Sequence, residues 1–344
     1  MTRIFITGVS GYIGGDVLNG ITQARLASRI VALVRNESRA TRITEKYPSV
    51  TPLIGDLDST TAIQNEVSQA DVVLHLASSN HIPSARAIVD GLSKTQRQNP
   101  VWIQISGASL LSGPEIVNNS YGEARSKVYN DLAGISEVRD IINSSPKRVV
   151  DQLITSLSTS QPSVRTAIVY GPMIYGLGRG PVNQRSIQIP DLAKATLKHG
   201  QGLHVRKGLN TWSHVHISDI TRLIVSLVAE ASSSTNQPLW NANGIYFPEA
   251  GGLSYRDIAK KMSSFAYSKG LIKSPHTQEI DAETADRLIA HGSVLWGTNA
   301  RTSGDRARQL LGWSPQGPSL EEEIRRAILA EAAVSGNKSS EKLA

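Results

Sequence analysis

An α/β fold, a doubly wound parallel sheet followed by a smaller, loop-rich C-terminal lobe, is predicted by three features of the 344-residue sequence. Short β-branched runs alternate with amphipathic stretches through the first half. A glycine-rich turn directly follows the first of those runs. Past Gly171 the texture changes to glycine, proline and asparagine with short apolar pieces, which reads as irregular loops carrying a few helices.

Strands are expected at Arg3–Thr7, Ile30–Val34, Thr51–Ile54, Val72–Leu76, Val101–Ser106 and Val164–Val169. These runs are mostly apolar and do not alternate, as befits strands covered on both faces. Helices are expected at Ile13–Ala27, Ser59–Val67, Ile82–Arg97 and Lys147–Ser158. Later in the chain, Ser218–Ala231 reads as a helix capped by Ser218, Pro238–Ala242 as a short strand and Leu320–Ala333 as a last helix. Residues 1–170 are thus expected to form the doubly wound domain, of Rossmann type. Residues 171–335 would be mainly a substrate lobe, with about 215–245 returning to the first domain, and residues 336–344 a flexible tail.

The glycine turn is Gly8-Val9-Ser10-Gly11-Tyr12-Ile13-Gly14, placed between a strand and a helix. In a Rossmann domain the first glycine makes the tight turn, the second lets backbone approach a pyrophosphate, and the third lets helix and strand pack closely. The diphosphate then rests on free amides at the positive end of the helix. The second strand ends in Leu33-Val34-Arg35-Asn36, followed by Arg39 and Arg42, where an NAD-binding domain would carry an acid for the ribose hydroxyl. A guanidinium forks onto a phosphate, so Arg35 points to NADP over NAD.

Composition narrows the alternatives. Hydrophobic residues make up 40% and charged residues 19%, which is ordinary for a globular protein. No apolar run approaches the roughly 18 residues of a membrane helix, and the start MTRIFITGVSG enters a strand without a leader pattern. The chain has no cysteine, which removes disulfides, thiolate metal sites and cysteine nucleophiles. A net charge of +7 is spread without a basic block interleaved with aromatics, so an anionic cofactor explains it as well as nucleic acid does. His75, His81, His214 and His216 lack partners at ligand spacing, and no metal is expected. The expectation is a cytoplasmic monomer or homodimer with a small-molecule substrate and neither a nucleic-acid nor a membrane partner.

Several motifs, in order over residues 2–245, resemble the extended and atypical short-chain dehydrogenase/reductases, which include nucleotide-sugar epimerases, dihydroflavonol reductases and NmrA-like proteins. Thr7 to Gly14 resembles the TGxxGxxG of that family, which implies cofactor contacts at Gly8, Ser10, Gly11, Tyr12, Ile13 and Gly14. Gly55-Asp56-Leu57 resembles the acidic-apolar pair against adenine. The segment from His75 through Ala77, Ser78 and Ser79 resembles the fourth-strand stretch beneath the cofactor ribose. Arg165 to Pro172 resembles the RPxxVYGP stretch beside the nicotinamide, which brings in Ile168 and Tyr170, and Trp212 to Asp219 resembles the later VHVxDL segment.

The resemblance fails at one place. The family's redox chemistry uses a YxxxK pair with a serine or threonine, the lysine lowering the phenol pKa while holding the nicotinamide ribose. No YxxxK occurs in this sequence. On one alignment Lys147 is the ribose-binding lysine and Asn143 stands at the tyrosine position. On another Tyr121 is the phenol and Arg125 its i+4 cation. Lys147, Tyr121 and Ser106 are therefore the candidate catalytic residues, Lys147 also contacting cofactor, with Ser109, Tyr175 and Arg179 as candidate substrate contacts. The expected activity is NADP-dependent oxidoreduction of a small carbonyl or related group, the alternatives being an epimerase or dehydratase, or an NADPH-sensing protein without turnover.

Overall fold

The computed structural model describes residues 2–232 and 238–341. The N-terminal half runs β1 (Arg3–Thr7), α1 (Tyr12–Ala24), β2 (Arg29–Val34), α2 (Glu37–Lys46), β3 (Val50–Ile54), α3 (Thr60–Val67), β4 (Val72–His75), α4 (Ile82–Ser93) and β5 (Val101–Gly107). Helix α2 is additional to the sequence reading. Asn36 starts it by accepting a hydrogen bond from the Arg39 amide at 3.0 Å, an Asx cap that the arginines around it obscure.

One seven-stranded parallel sheet orders these strands as Ile245–Tyr246, Arg165–Gly171, β5, β4, β1, β2, β3. The order reverses between β1 and β4, so the carboxyl ends of those strands open a crevice at the topological switch point. Each face of the sheet is covered. Ile4 and Ile6 of β1 belong to the core under α1 and the helix Ile217–Ala231, while Phe5 belongs to the opposite core under α3 and α4. All three are fully buried, and each such side chain contributes about 1.5–3 kcal/mol of transfer free energy.

Three sequence expectations are corrected in the C-terminal half. No strand forms at Pro238–Ala242; the edge strand is Ile245–Tyr246, after a single 3₁₀ turn at Asn241–Asn243. Asn241 turns the chain with φ 62° and accepts the Thr166 amide at 2.8 Å. The cap of the helix Ile217–Ala231 is His216, whose Nδ1 accepts the Ser218 amide at 3.2 Å. The last helix continues from Leu320 to Glu341, beyond the expected start of a tail at residue 336, and residues 342–344 lie outside the described residues.

The second lobe centres on the helices Gln188–His199, Tyr255–Ser268 and Leu320–Glu341. A three-stranded sheet of Met173–Tyr175, Thr211–His216 and Gly252–Ser254 joins it to the first domain. Among the described residues no helix is long and apolar enough to cross a membrane.

Candidate active site

Strand β1 delivers Thr7 to the turn, and Gly8 reverses the chain with φ +85°. A Cβ on Gly8 would lie 2.6 Å from the Leu76 carbonyl carbon and 2.7 Å from the Ala77 nitrogen. A Cβ on Gly14 would strike the Gly8 carbonyl. Helix α1 then begins after Gly11, which offers no side-chain cap, and has no acidic residue in its first turn. Its amide end lies at a cleft of about 630 Å³ lined by Ser10 and Gly11, and Gly11 gives it no side-chain cap. Such an end favours a bound anion.

Ser10 and Gly11 form one wall of this cleft, Leu33, Arg35 and Arg39 a second, and Gly55 to Asp58 a third. Leu76 and Ala77 line it from just past the end of β4. Among the described residues no carboxylate pairs with Arg35 or Arg39. Asp56 is exposed, one of its oxygens accepting the Asp58 amide at 3.0 Å and the Ser59 hydroxyl at 3.1 Å. Below the cleft, His75 is fully buried between Thr7 (Nδ1 to Oγ1, 2.7 Å) and Ser84 (Nε2 to Oγ, 3.3 Å). Burial, with His81 nearby, pushes its pKa down to about 4, so it is a neutral strut between β1 and α4.

The second lobe closes this cleft with Val182 and Asn183. Their loop is fastened to the first domain at several points. The Tyr12 hydroxyl donates to the Gly176 carbonyl at 2.8 Å, Arg42 to the Pro181 carbonyl at 2.6 Å and Lys46 to the Arg179 carbonyl at 2.6 Å. Arg179 itself forks onto Asp16 of α1, Nε to Oδ1 at 2.9 Å and Nη2 to Oδ2 at 2.7 Å.

A second cleft, of about 510 Å³, lies beyond the β4–α4 loop, which supplies Ser79 and Asn80. Gly107, Ser109 and Leu110 enter it from the end of β5, Lys147 and Arg148 from the start of the helix Val149–Ser160, and His291, Val294 and Leu295 from the second lobe. Beneath it is a buried polar cluster. Asp151 Oδ2 accepts the hydroxyls of Ser106 at 2.9 Å and Tyr170 at 3.0 Å. Arg148 donates to Ser106 Oγ at 3.2 Å and to Ser109 Oγ at 2.9 Å. Burial pushes the Asp151 carboxyl up against the lowering pull of Arg148, Ser106 and Tyr170. Burial and the neighbouring Asp151 also push the Tyr170 phenol well above its ordinary range, so it acts here as a hydrogen-bond donor.

The structure gathers some candidates and disperses others. Gly8, Ser10, Gly11, Arg35, Asp56, Leu57 and Ala77 share the first cleft, and Ser79, Ser109 and Lys147 the second. Ser78 lies in the loop between them, its carbonyl accepting from Gln104 at 3.0 Å. Ile13 packs partly buried against the core, and Ile168 and Tyr170 are buried in the sheet, so any part they take is as scaffold.

Tyr121 lies in neither cleft. Its ring sits against the Arg206 guanidinium, 5.9 Å from the centroid, and the Gly122 amide donates to the Gly297 carbonyl at 2.7 Å, tying this segment to the second lobe. Arg125 donates to the Tyr129 hydroxyl at 2.6 Å and not to Tyr121. Tyr175 is 2% exposed and its hydroxyl donates to the Pro318 carbonyl at 2.8 Å. Arg179 is held by Asp16 through Nε and Nη2, so of the two expected second-lobe contacts Tyr175 is buried and Arg179 is anchored to the first domain with its side chain 43% exposed.

Sequence reasoning missed Arg148, Asp151, Val294 and the closing residues Val182 and Asn183. For Arg148 a signal existed: a cation three residues before an acid on an amphipathic helix places both on one face.

Residues 8–134 match the NAD(P)H-binding family. Oxidase ucsJ from Acremonium sp is 32% identical over 339 residues, covering 96% of this chain and 97% of that protein. DesIV, a dTDP-glucose 4,6-dehydratase from Streptomyces venezuelae solved with NAD and TYD bound, superimposes with a TM-score of 0.65 at 15% identity, covering 95% of each chain. A UDP-glucuronic acid 4-epimerase from Bacillus cereus, solved in complex with NAD and a fluorinated UDP-glucuronic acid, gives a TM-score of 0.65 at 17% identity, with 96% and 99% covered.

Proposed function

The chain belongs to the NAD(P)-binding, epimerase/dehydratase-type extended short-chain dehydrogenase/reductases, and from that premise we propose that it is an NADP-dependent oxidoreductase acting on a small carbonyl or related group. The observation that carries the cofactor choice is the pair Arg35 and Arg39 on the first cleft, without carboxylate partners among the described residues, where a 2′-phosphate would lie. The glycine cradle fits a dinucleotide, since any side chain at Gly8 would meet backbone. When bound, the nicotinamide supplies or accepts a hydride.

The chain's own part is to bind, orient and donate. Lys147, exposed at the mouth of the second cleft, holds the nicotinamide ribose in this reading. Ser106 has committed its proton to Asp151, so in this reading Ser109 and Arg148, which also line the second cleft, are the donors that orient a substrate oxygen. Among the residues lining the two clefts there is no tyrosine, and in this reading water supplies the proton. That same observation favours a second reading, in which NADPH is bound and not turned over.

Two measurements test these readings. In fluorescence titrations NADPH binds more tightly than NADH, and Arg35→Ala with Arg39→Ala removes about tenfold or more of that preference, the worth of one or two charge-assisted hydrogen bonds. Equal affinities for the two cofactors in the unmodified protein would refute the NADP assignment. Incubation with NADPH and a panel of aldehydes, ketones and activated alkenes then separates the readings. Consumption of the reduced nicotinamide supports the enzyme, and silence across the panel with tight binding supports the sensor.

A further inference from the structure

The second cleft has a charge and a texture of its own. Among its lining residues are the cations Lys147 and Arg148 and no Asp or Glu. Lys147 pairs with no carboxylate among the described residues. Arg148 is only 9% exposed, and its guanidinium is held by two neutral hydroxyls, those of Ser106 and Ser109. The nearest carboxylate oxygen, Asp151 Oδ2, is 4.0 Å away and already accepts two other hydroxyls. A cation withdrawn from water costs free energy unless an anion meets it. Here the shared Asp151 only partly does so.

The remaining lining of the cleft is largely aliphatic. Leu110, Ile116, Val117, Val294 and Leu295 line it, with Ile116 41% and Val117 84% exposed. A binding site with an apolar wall and one fixed, incompletely neutralised guanidinium selects a ligand built the same way. Its planar fork matches a carboxylate in two parallel hydrogen bonds.

We propose that the second cleft takes an apolar carboxylic acid as the substrate class, its carboxylate on Arg148 and its hydrocarbon or aromatic part on the Leu110, Ile116 and Val294 wall. The assignment rests on the oxidoreductase reading for the word substrate, and on the cleft alone for the binding. Ser106 and Ser109 are positioning residues that fix the guanidinium. A cleft of about 510 Å³ lies in the range of small-molecule sites.

The test is calorimetry on the NADPH-loaded protein with 4-phenylbutyrate and with its neutral amide as paired probes. The acid binds at least about tenfold more tightly than the amide, and its binding weakens with added salt. Arg148→Met erases the difference and Arg148→Lys keeps part of it. Equal affinities, tighter binding of the amide, or no uptake of either probe by protein that has taken up NADPH overturns the proposal. The comparison in the unmodified protein needs no variant, so it stands even if Arg148→Met does not fold. Should NADPH itself fail to bind, the cofactor reading falls, and the same preference for the acid is still expected of the cofactor-free protein.

Discussion

Gly8→Ala lowers dinucleotide affinity by about a hundredfold or more and destabilises the first domain. Two independent costs meet at this residue. Its φ of +85° lies where an L side chain is strained by roughly 1–2 kcal/mol. Its added Cβ would also sit 2.6–2.7 Å from the backbone of Leu76 and Ala77, just past the end of the parallel ladder between β1 and β4, where the Leu76 amide donates to the Thr7 carbonyl at 3.3 Å. The turn must therefore move, and it carries Gly11 and the open amide end of α1 with it. A displacement of about 1 Å is enough to cost two orders of magnitude at a site that depends on aligned donors. Fluorescence titration with NADPH reads the affinity and calorimetry the stability. If the variant bound NADPH within about threefold of the parent, the glycine turn would not be the diphosphate cradle.

The first domain was legible because its strands are buried on both faces and lie in local strand–turn–helix units. Arg3–Thr7 with the turn that follows is such a unit, and the structure reproduces its strand to the residue. The second lobe was less so, because its pairing is non-local. Thr211–His216 finds Met173–Tyr175 on one side and Gly252–Ser254 on the other, and nothing in the run itself names those partners. The apolar Pro238–Ala242 looked more like a strand than Ile245–Tyr246, which is only two residues long and pairs because the Arg165–Gly171 edge is open to it. At the site the difficulty was one residue wide. Lys147 fits the motif spacing, yet the helix begins at Val149, and Arg148 is the cation that turns inward to Ser106 and Ser109. Arg179 looked like a free loop cation because its partner, Asp16, is distant in sequence. An acid within the apolar helix Tyr12–Ala24 was the available hint that something must come to meet it.

Arg179→Ala follows from that pairing and should cost about 2–3 kcal/mol of stability, less than the penalty for breaking a wholly buried pair because the guanidinium side chain is itself 43% exposed. Asp16 has no exposed surface, and Arg179 supplies three of the four hydrogen bonds to it, from its amide, Nε and Nη2, the fourth coming from Thr221 at 2.6 Å. Alanine keeps the amide and removes the charge. In the parent protein burial pushes the Asp16 carboxyl up, but the hydrogen bonds from Arg179 and Thr221 outweigh it and hold the carboxyl below its ordinary value. A lowered carboxyl pKa stabilises the fold above the unfolded value of about 4 and loses that contribution as the pH falls through the folded value. Without the guanidinium, burial is opposed only by the remaining bonds and the carboxyl rises. The deficit of the variant is then greatest at neutral pH and shrinks toward pH 4, where protonation removes the stranded charge. Asp16→Asn added to Arg179→Ala recovers part of the loss for the same reason. The loop that Arg179 anchors also carries Val182 and Asn183 into the cofactor cleft, so NADPH affinity falls along with stability. Urea unfolding at several pH values, with NADPH titration at neutral pH, measures both effects. A variant as stable as the parent but altered only in its Michaelis constant would show that Arg179 serves the substrate and not the scaffold.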